Sequence, residues 1–251
     1  MHMNIRNLVF GASIALSSVA HAVAGEFASL PTSGNLRIED FESFQIDSGP
    51  SNGANSYALP GFLTVLDQRV TEFEHEGETV GNFFDYVFSD STGSLYFGSR
   101  LVLSTPEDED DYFEINDLFR TGYAGVTDVS VAWAFVTDYD LWIYAAARTS
   151  AGFGEEDTLD LDSVGFRSDI NWAEGNPQTA LYLIKTDATS YKLLDGAVRL
   201  RQGGEEDEGD IVNISFAGFA PVTAPVPEPS AYALLLSGLA LTGFMAKRRR
   251  S

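Results

Sequence analysis

Between residues 82 and 104 apolar and polar side chains trade places along the chain. Phe84, Tyr86 and Phe88 alternate with Asp85, Val87 and Ser89, Ser91-Thr92-Gly93-Ser94 supplies a turn, and Leu95–Leu103 returns. Period-two alternation around a Gly-containing connection is the signature of a β-hairpin. Short runs of Val, Phe, Tyr, Leu and Ile recur along the chain, broken by Gly, Asp, Asn, Ser and Thr. Val129–Val136 and Leu141–Ala146 form a second expected pair across the turn-like Thr137-Asp138-Tyr139-Asp140. Further strands are expected at 35–44, 62–70, 180–185, 197–201 and 211–216.

Helix is scarce. Glu114–Arg120, with Ile115, Leu118 and Phe119 on one face, predicts one or two helical turns. No βαβ alternation and no internal repeat is present. The expected fold class is all-β, an antiparallel β-sandwich or jelly-roll-like fold spanning residues 25–220. Gly152-Phe153-Gly154 and Glu155-Glu156-Asp157 read as a long loop within one sandwich.

Both ends differ from this middle. Residues 1–24 carry one cation, Arg6, then an apolar stretch from Leu8 to Val19, then Ala20-His21-Ala22-Val23-Ala24. That is the layout of a secretory signal peptide. Cleavage after Ala22 or after Ala24 fits, and Ala24 is preferred because Gly25-Glu26 then opens the acidic mature chain. Export through the Sec machinery is implied. At the other end, prolines at 221, 225, 227 and 229 disfavour regular structure over the 221–230 linker. An uncharged run, Ala231–Ala246, follows, and Lys247, Arg248, Arg249 and Arg250 close the 231–251 segment. As a helix the run would span ~24 Å, slightly short of a ~30 Å hydrocarbon core. The basic cluster would stay on the cytoplasmic side. Such a helix suits a transient membrane anchor.

Val226, Pro227, Glu228 and Pro229, the apolar helix and the arginine-rich end closely resemble the PEP-CTERM sorting signal of exopolysaccharide-producing Gram-negative bacteria. The resemblance covers Val226–Ser251. It implies recognition by an exosortase-type membrane enzyme, cleavage near Pro227-Glu228-Pro229, and a destination at the cell surface or in the extracellular matrix. The central stretches Glu114–Tyr123, Ala180–Asp187 and Val198–Glu206 look like parts of other exported β-rich proteins carrying this signal, and imply no activity.

Composition narrows the function. The chain has 15 Lys+Arg against 37 Asp+Glu, a formal charge of −22. Loss of both ends removes five cations and one acid, leaving 10 against 36 and a charge near −26. Such a surface repels nucleic acid and anionic lipid. With no cysteine, disulfides, thiol catalysis and cysteine-based metal sites are excluded. His75 is the one histidine left between the signals, in the polar Glu72–Gly77 segment, so a histidine-rich zinc site or a histidine-based triad lacks its parts.

The acid clusters are Glu107–Asp111, Glu155–Asp157 with Asp160 and Asp162, and Glu205–Asp210. Runs of like charge read as solvated loops. Calcium is the sharper reading, with Glu155, Asp157, Asp160 and Asp162 as first ligands and the latter two on one strand face. Paired carboxylates could also serve a glycan hydrolase. Among the aromatics, Trp133 and Trp142 sit in apolar runs and read as core. Trp172, in a polar stretch, is the candidate sugar platform. The expected role is non-enzymatic: an exported surface or matrix protein that contacts exopolysaccharide or cross-links through cations. A calcium-dependent carbohydrate-binding module and a glycan hydrolase are the alternatives.

Overall fold

The computed structural model of the chain describes residues 27–32, 37–38, 41–46, 59–105, 114–134, 142–152, 155–156, 158–172, 174–202 and 213–222. The expected signal peptide, the sorting signal, Asp157 and the acid runs 107–111 and 205–210 lie outside them. The strands are β1 (Ala28–Ser29), β2 (Arg37–Ile38), β3 (Gln45–Ile46), β4 (Thr64–His75), β5 (Glu78–Ser89), β6 (Leu95–Leu103) and β7 (Glu114–Thr121), followed by β8 (Val129–Ala134), β9 (Trp142–Ala147), β10 (Ser163–Asn171), β11 (Leu181–Thr186), β12 (Ser190–Arg201) and β13 (Asn213–Val222). A single 3₁₀ turn, Phe41–Phe44, is the one helical element among the described residues.

The strands form two sheets. One is seven-stranded, ordered β1-β8-β11-β6-β5-β4, with β3 joined to β8 in parallel; the other is six-stranded, ordered β13-β12-β7-β10-β9-β2. All other pairings are antiparallel. Between the sheets, Phe83, Val87, Phe97, Leu101, Val131 and Ile184 meet Leu118, Val164, Phe166, Ile170, Val198 and Leu200 in one buried cluster. Phe166 stacks on Tyr182 across the layers, ring centroids 4.5 Å apart. Each fully buried aliphatic or aromatic side chain contributes about 1.5–3 kcal/mol, which lets the fold hold without disulfides.

The hairpin expected at 82–104 is present as β5 and β6, joined around Gly93 with φ 85°. Its faces carry more than simple alternation implies. Phe88 and Tyr96 turn away from the main core into a second cluster with Ile46, Ala132, Ala134, Leu181 and Leu183. Partly buried Phe27, Leu59, Phe62 and Leu63 cover that cluster. The seven-stranded sheet is therefore apolar on both faces. Gly98 belongs to this second face, and a Cβ there would sit 2.5 Å from Phe88 Cε2.

Four expectations change. The strand expected at 35–44 is only Arg37–Ile38 among the described residues, and Phe41–Phe44 is a 3₁₀ turn. Glu114–Arg120 is strand β7, not helix: Ile115 and Leu118 both reach the core. Core residues three apart need one slip of phase, and the pairing with β10 is irregular between Arg167 and Ile170. Residues 129–136 and 141–146 are not a hairpin, because β8 pairs with β1, β3 and β11, while β9 pairs with β10 and β2 in the other sheet. The connection crosses layers. Finally, Pro221 lies within β13, opposite Tyr191. An edge strand tolerates a residue without an N–H, and β13 ends its sheet. His75 ends β4, beside the turn at Glu76 (φ 52°) and Gly77 (φ 93°).

Candidate functional site

The interior holds a charged pair that alternation alone does not announce. Asp85 of β5 faces inward, and its Oδ1 lies 2.9 Å from Arg120 Nη1 of β7, both side chains fully buried. Asp85 Oδ2 accepts the Phe219 N–H at 2.6 Å, and Arg120 donates to the Phe219 carbonyl and to Ser99 Oγ. Phe219 belongs to β13, the last strand of its sheet. The pair thus bonds the N–H and C=O of an edge strand as a further strand would. Gly218 leaves the room, since a Cβ there would meet Asp85 Oδ2 at 2.9 Å. Burial pushes the Asp85 carboxyl up, opposed by Arg120 and the Phe219 N–H.

The expected calcium ligands have other partners. Glu155 Oε2 lies 2.8 Å from Arg201 Nη1 and accepts the Gly152 N–H at 2.8 Å. That ion pair, with the N–H, holds the Glu155 carboxyl below its usual range. Asp160 and Asp162 sit in the turn before β10 rather than on a strand face. Asp160 accepts the Asp162 N–H at 2.9 Å and the Ser163 hydroxyl at 3.0 Å, and Asp162 Oδ1 accepts the Ala124 N–H at 3.0 Å. Arg148 donates to the carbonyls of Leu161 and Tyr123. This turn stitches the ends of β7, β9 and β10 together. Among the described residues no three acidic or histidine side chains gather as a metal ion would need.

The outer face of the six-stranded sheet gathers cations and uses them locally. Arg167 Nε lies 3.3 Å from Asp117 Oδ1, and Arg199 stacks over Phe119 at 4.2 Å while donating to the Ser150 carbonyl at 2.5 Å. The segment after β9 folds over this face. A Cβ on Gly152 would strike Arg201 Nη1 at 2.0 Å, and one on Gly165 would meet the Thr149 carbonyl at 3.3 Å. The loop expected at Gly152 is an edge of this cover.

Trp172 is not an exposed platform. It is partly buried against the core, and its Nε1 donates to the Leu103 carbonyl at 3.2 Å. It anchors the turn closed by the Gly175 N–H to Trp172 C=O bond, 3.1 Å, with Gly175 at φ 82°. Trp133 is core as expected, with Nε1 bonded to the Phe41 carbonyl at 3.1 Å. The Trp142 side chain lies outside the described residues.

Two features remain that sequence reasoning did not find. Glu114, at the start of β7, has its carboxyl pushed up to about 7. Burial is the largest cause, opposed by the Asn116 amide and reinforced by Asp169 and Glu174. The second is a cavity of about 410 Å³ on the outer face of the seven-stranded sheet, lined by Phe27, Ser29, Tyr96, Asp128, Ser130 and Lys185. Lys185 Nζ is 5.7 Å from the centroid of the Tyr96 ring, and Phe27 meets that ring edge-on at 5.5 Å. The Tyr96 hydroxyl donates to Asp90 Oδ2 at 2.9 Å. Asp90 also takes the hydroxyl and N–H of Thr92 and the N–H of Ser94. Burial pushes Asp90 up, but these bonds together bring it down to about 2. The wall therefore combines an ammonium, hydroxyls, a carboxylate and aromatic edges at the volume of an ordinary small-ligand site.

Comparison with known proteins locates one segment. Residues 225–250 match the PEP-CTERM protein-sorting motif. Among curated proteins nothing matches the chain, and among solved structures nothing does. The motif marks an exported protein with a membrane-anchored sorting step carried out by an exosortase-type enzyme. Among the described residues no helix is long and apolar enough to cross a membrane; the apolar run 231–246 lies outside them.

Proposed function

We propose that this chain is a non-enzymatic protein of the cell exterior, delivered through its N-terminal signal peptide and C-terminal sorting signal and retained at the outer surface or in the exopolysaccharide matrix. The observation that carries this reading is the sorting motif at residues 225–250. The body it delivers suits contact rather than turnover. Its charges serve to close the fold, inside at Asp85–Arg120 and at the surface where Glu155 pairs with the buried Arg201. Its place of contact is the cavity at Tyr96 and Lys185, where the ammonium and the hydroxyls meet sugar hydroxyls and the aromatic edges meet the sugar's C–H face.

Intact mass of the protein recovered from the cell exterior is the test. The expected product begins at Gly25 and ends near Pro227-Glu228-Pro229. A product retaining residues 231–251, or one confined to the cytosol, overturns the delivery. For the contact, Lys185→Ala should weaken retention on the native matrix polysaccharide about tenfold, the equivalent of one charge-assisted hydrogen bond, with thermal stability unchanged. Equal retention removes the cavity from the account.

A further inference from the structure

Strand β4 runs from Thr64 to His75 at the end of its sheet, and among the described residues no strand pairs with its free edge. Along it Val65, Leu66 and Val70 are 37%, 48% and 57% exposed. A long edge with exposed apolar side chains is a template for another strand, and folds normally blunt it. Here the blunting is slight. The pairing with β5 is irregular between Val65 and Asp67, and the Gln68 N–H is held by the carboxylate of its neighbour Asp67 at 2.9 Å.

The order of residues on this edge fits one occupant. Two copies of β4, set antiparallel with Gln68 opposite Gln68, place Asp67 against Arg69 on both sides of the two-fold axis, with Leu66, the extra residue of the irregularity, beside Val70. Glu72 falls against the uncharged Leu63–Leu66 stretch, so no like charges meet. The faces agree as well. From Asp67 on, Gln68, Val70 and Glu72 are exposed, while Asp67, Arg69 and Thr71 alternate with them on the half-buried side. Moving the axis one residue either way sets Asp67 against Asp67 or Arg69 against Arg69, and like charges directly opposite destabilise a pair of strands. We propose that β4 pairs with β4 of a second copy in this register, so that one sheet runs through both molecules. The contact is isologous and therefore closes at two chains.

The absence of native cysteine makes the register directly readable. Opposed residues on the axis have Cα atoms about 4.5–5.5 Å apart, within the ~4.4–6.8 Å that a disulfide spans. In the full chain at the cell surface, Gln68→Cys should give a disulfide-linked dimer on oxidation, and Glu72→Cys should not. Asp67→Arg and Arg69→Asp should each abolish the Gln68→Cys cross-link, because each opposes like charges. Mixing those two variants, each also carrying Gln68→Cys, should restore it, because two arginines then face two aspartates. Circular dichroism of each variant separates a lost contact from a lost fold. Cross-linking no greater for Gln68→Cys than for Glu72→Cys overturns the proposal, as does a mixture that stays as unlinked as its parts. A Gln68→Cys thiol shielded from maleimide without dimer formation also overturns it, and assigns the edge to a segment of the same chain.

Discussion

At the scale of single residues, the molecule turns on where it hides charge. Asp85 stands in an alternating run, where sequence assigns it to the polar face. The structure puts it inside because Arg120, 35 positions away, and the Phe219 backbone satisfy it. No local pattern carries that information. Arg120→Met leaves a buried carboxylate without its partner and should cost about 3–5 kcal/mol in urea unfolding. Asp85→Leu with Arg120→Met removes both charges but strands the Phe219 N–H and C=O. The double variant should therefore remain less stable than the native chain by about 1–3 kcal/mol. Full recovery would mean that the pair does not close the edge of β13. Glu114 supplies the pH dependence. Its folded pKa of about 7 lies above the ordinary carboxyl value of 4.5, so the folded state holds the proton more tightly. Its contribution is fully present below pH 4.5 and is lost as pH rises through 7. Glu114→Gln should flatten that stretch and raise stability at pH 8 by on the order of 1 kcal/mol, after discounting for its partial exposure. An unchanged slope between pH 4.5 and 7 assigns the trend to other groups.

At the scale of elements, local pairs were legible and crossings were not. β5 and β6 show in the sequence because a short turn joins two strands that pair with each other. β8 and β9 also adjoin in sequence, yet they belong to different sheets, and adjacent strands are neighbours only about two-thirds of the time. β7 imitates a helix because a slip of phase puts Ile115 and Leu118 three apart on one side. Beyond the slip, ordinary alternation puts Phe119 under the Arg199 guanidinium on the other side. Trp172 looked exposed because its neighbours are polar, but the turn that carries it packs the indole against the end of β6. The acids at 160 and 162 looked like ligands for the same reason that they make good turn residues: a short carboxylate reaches nearby backbone, as Asp160 takes the Asp162 N–H, and Asp162 reaches across to the Ala124 N–H. Asp160 apart, the residue types were visible and the partner lay far along the chain.

At the scale of the whole molecule, charge and closure set the response to cations. The sequence carries a formal charge of −22, and self-repulsion at that level weakens a compact fold. Divalent ions relieve it in two distinguishable ways. A built site selects by ligand number and cavity size, so calcium and magnesium act at different concentrations. General screening depends on charge and ionic strength alone. The described carboxylates favour screening. Glu155 is paired with Arg201, Asp160 and Asp162 cap a turn, and Asp90 caps another. Calcium and magnesium at equal ionic strength should therefore raise the melting temperature by the same few degrees. Asp160→Asn with Asp162→Asn should lower the starting value without removing the increment, because the substitution weakens a turn rather than a site. A rise specific to calcium and abolished by that double substitution would show that the turn opens to take the ion.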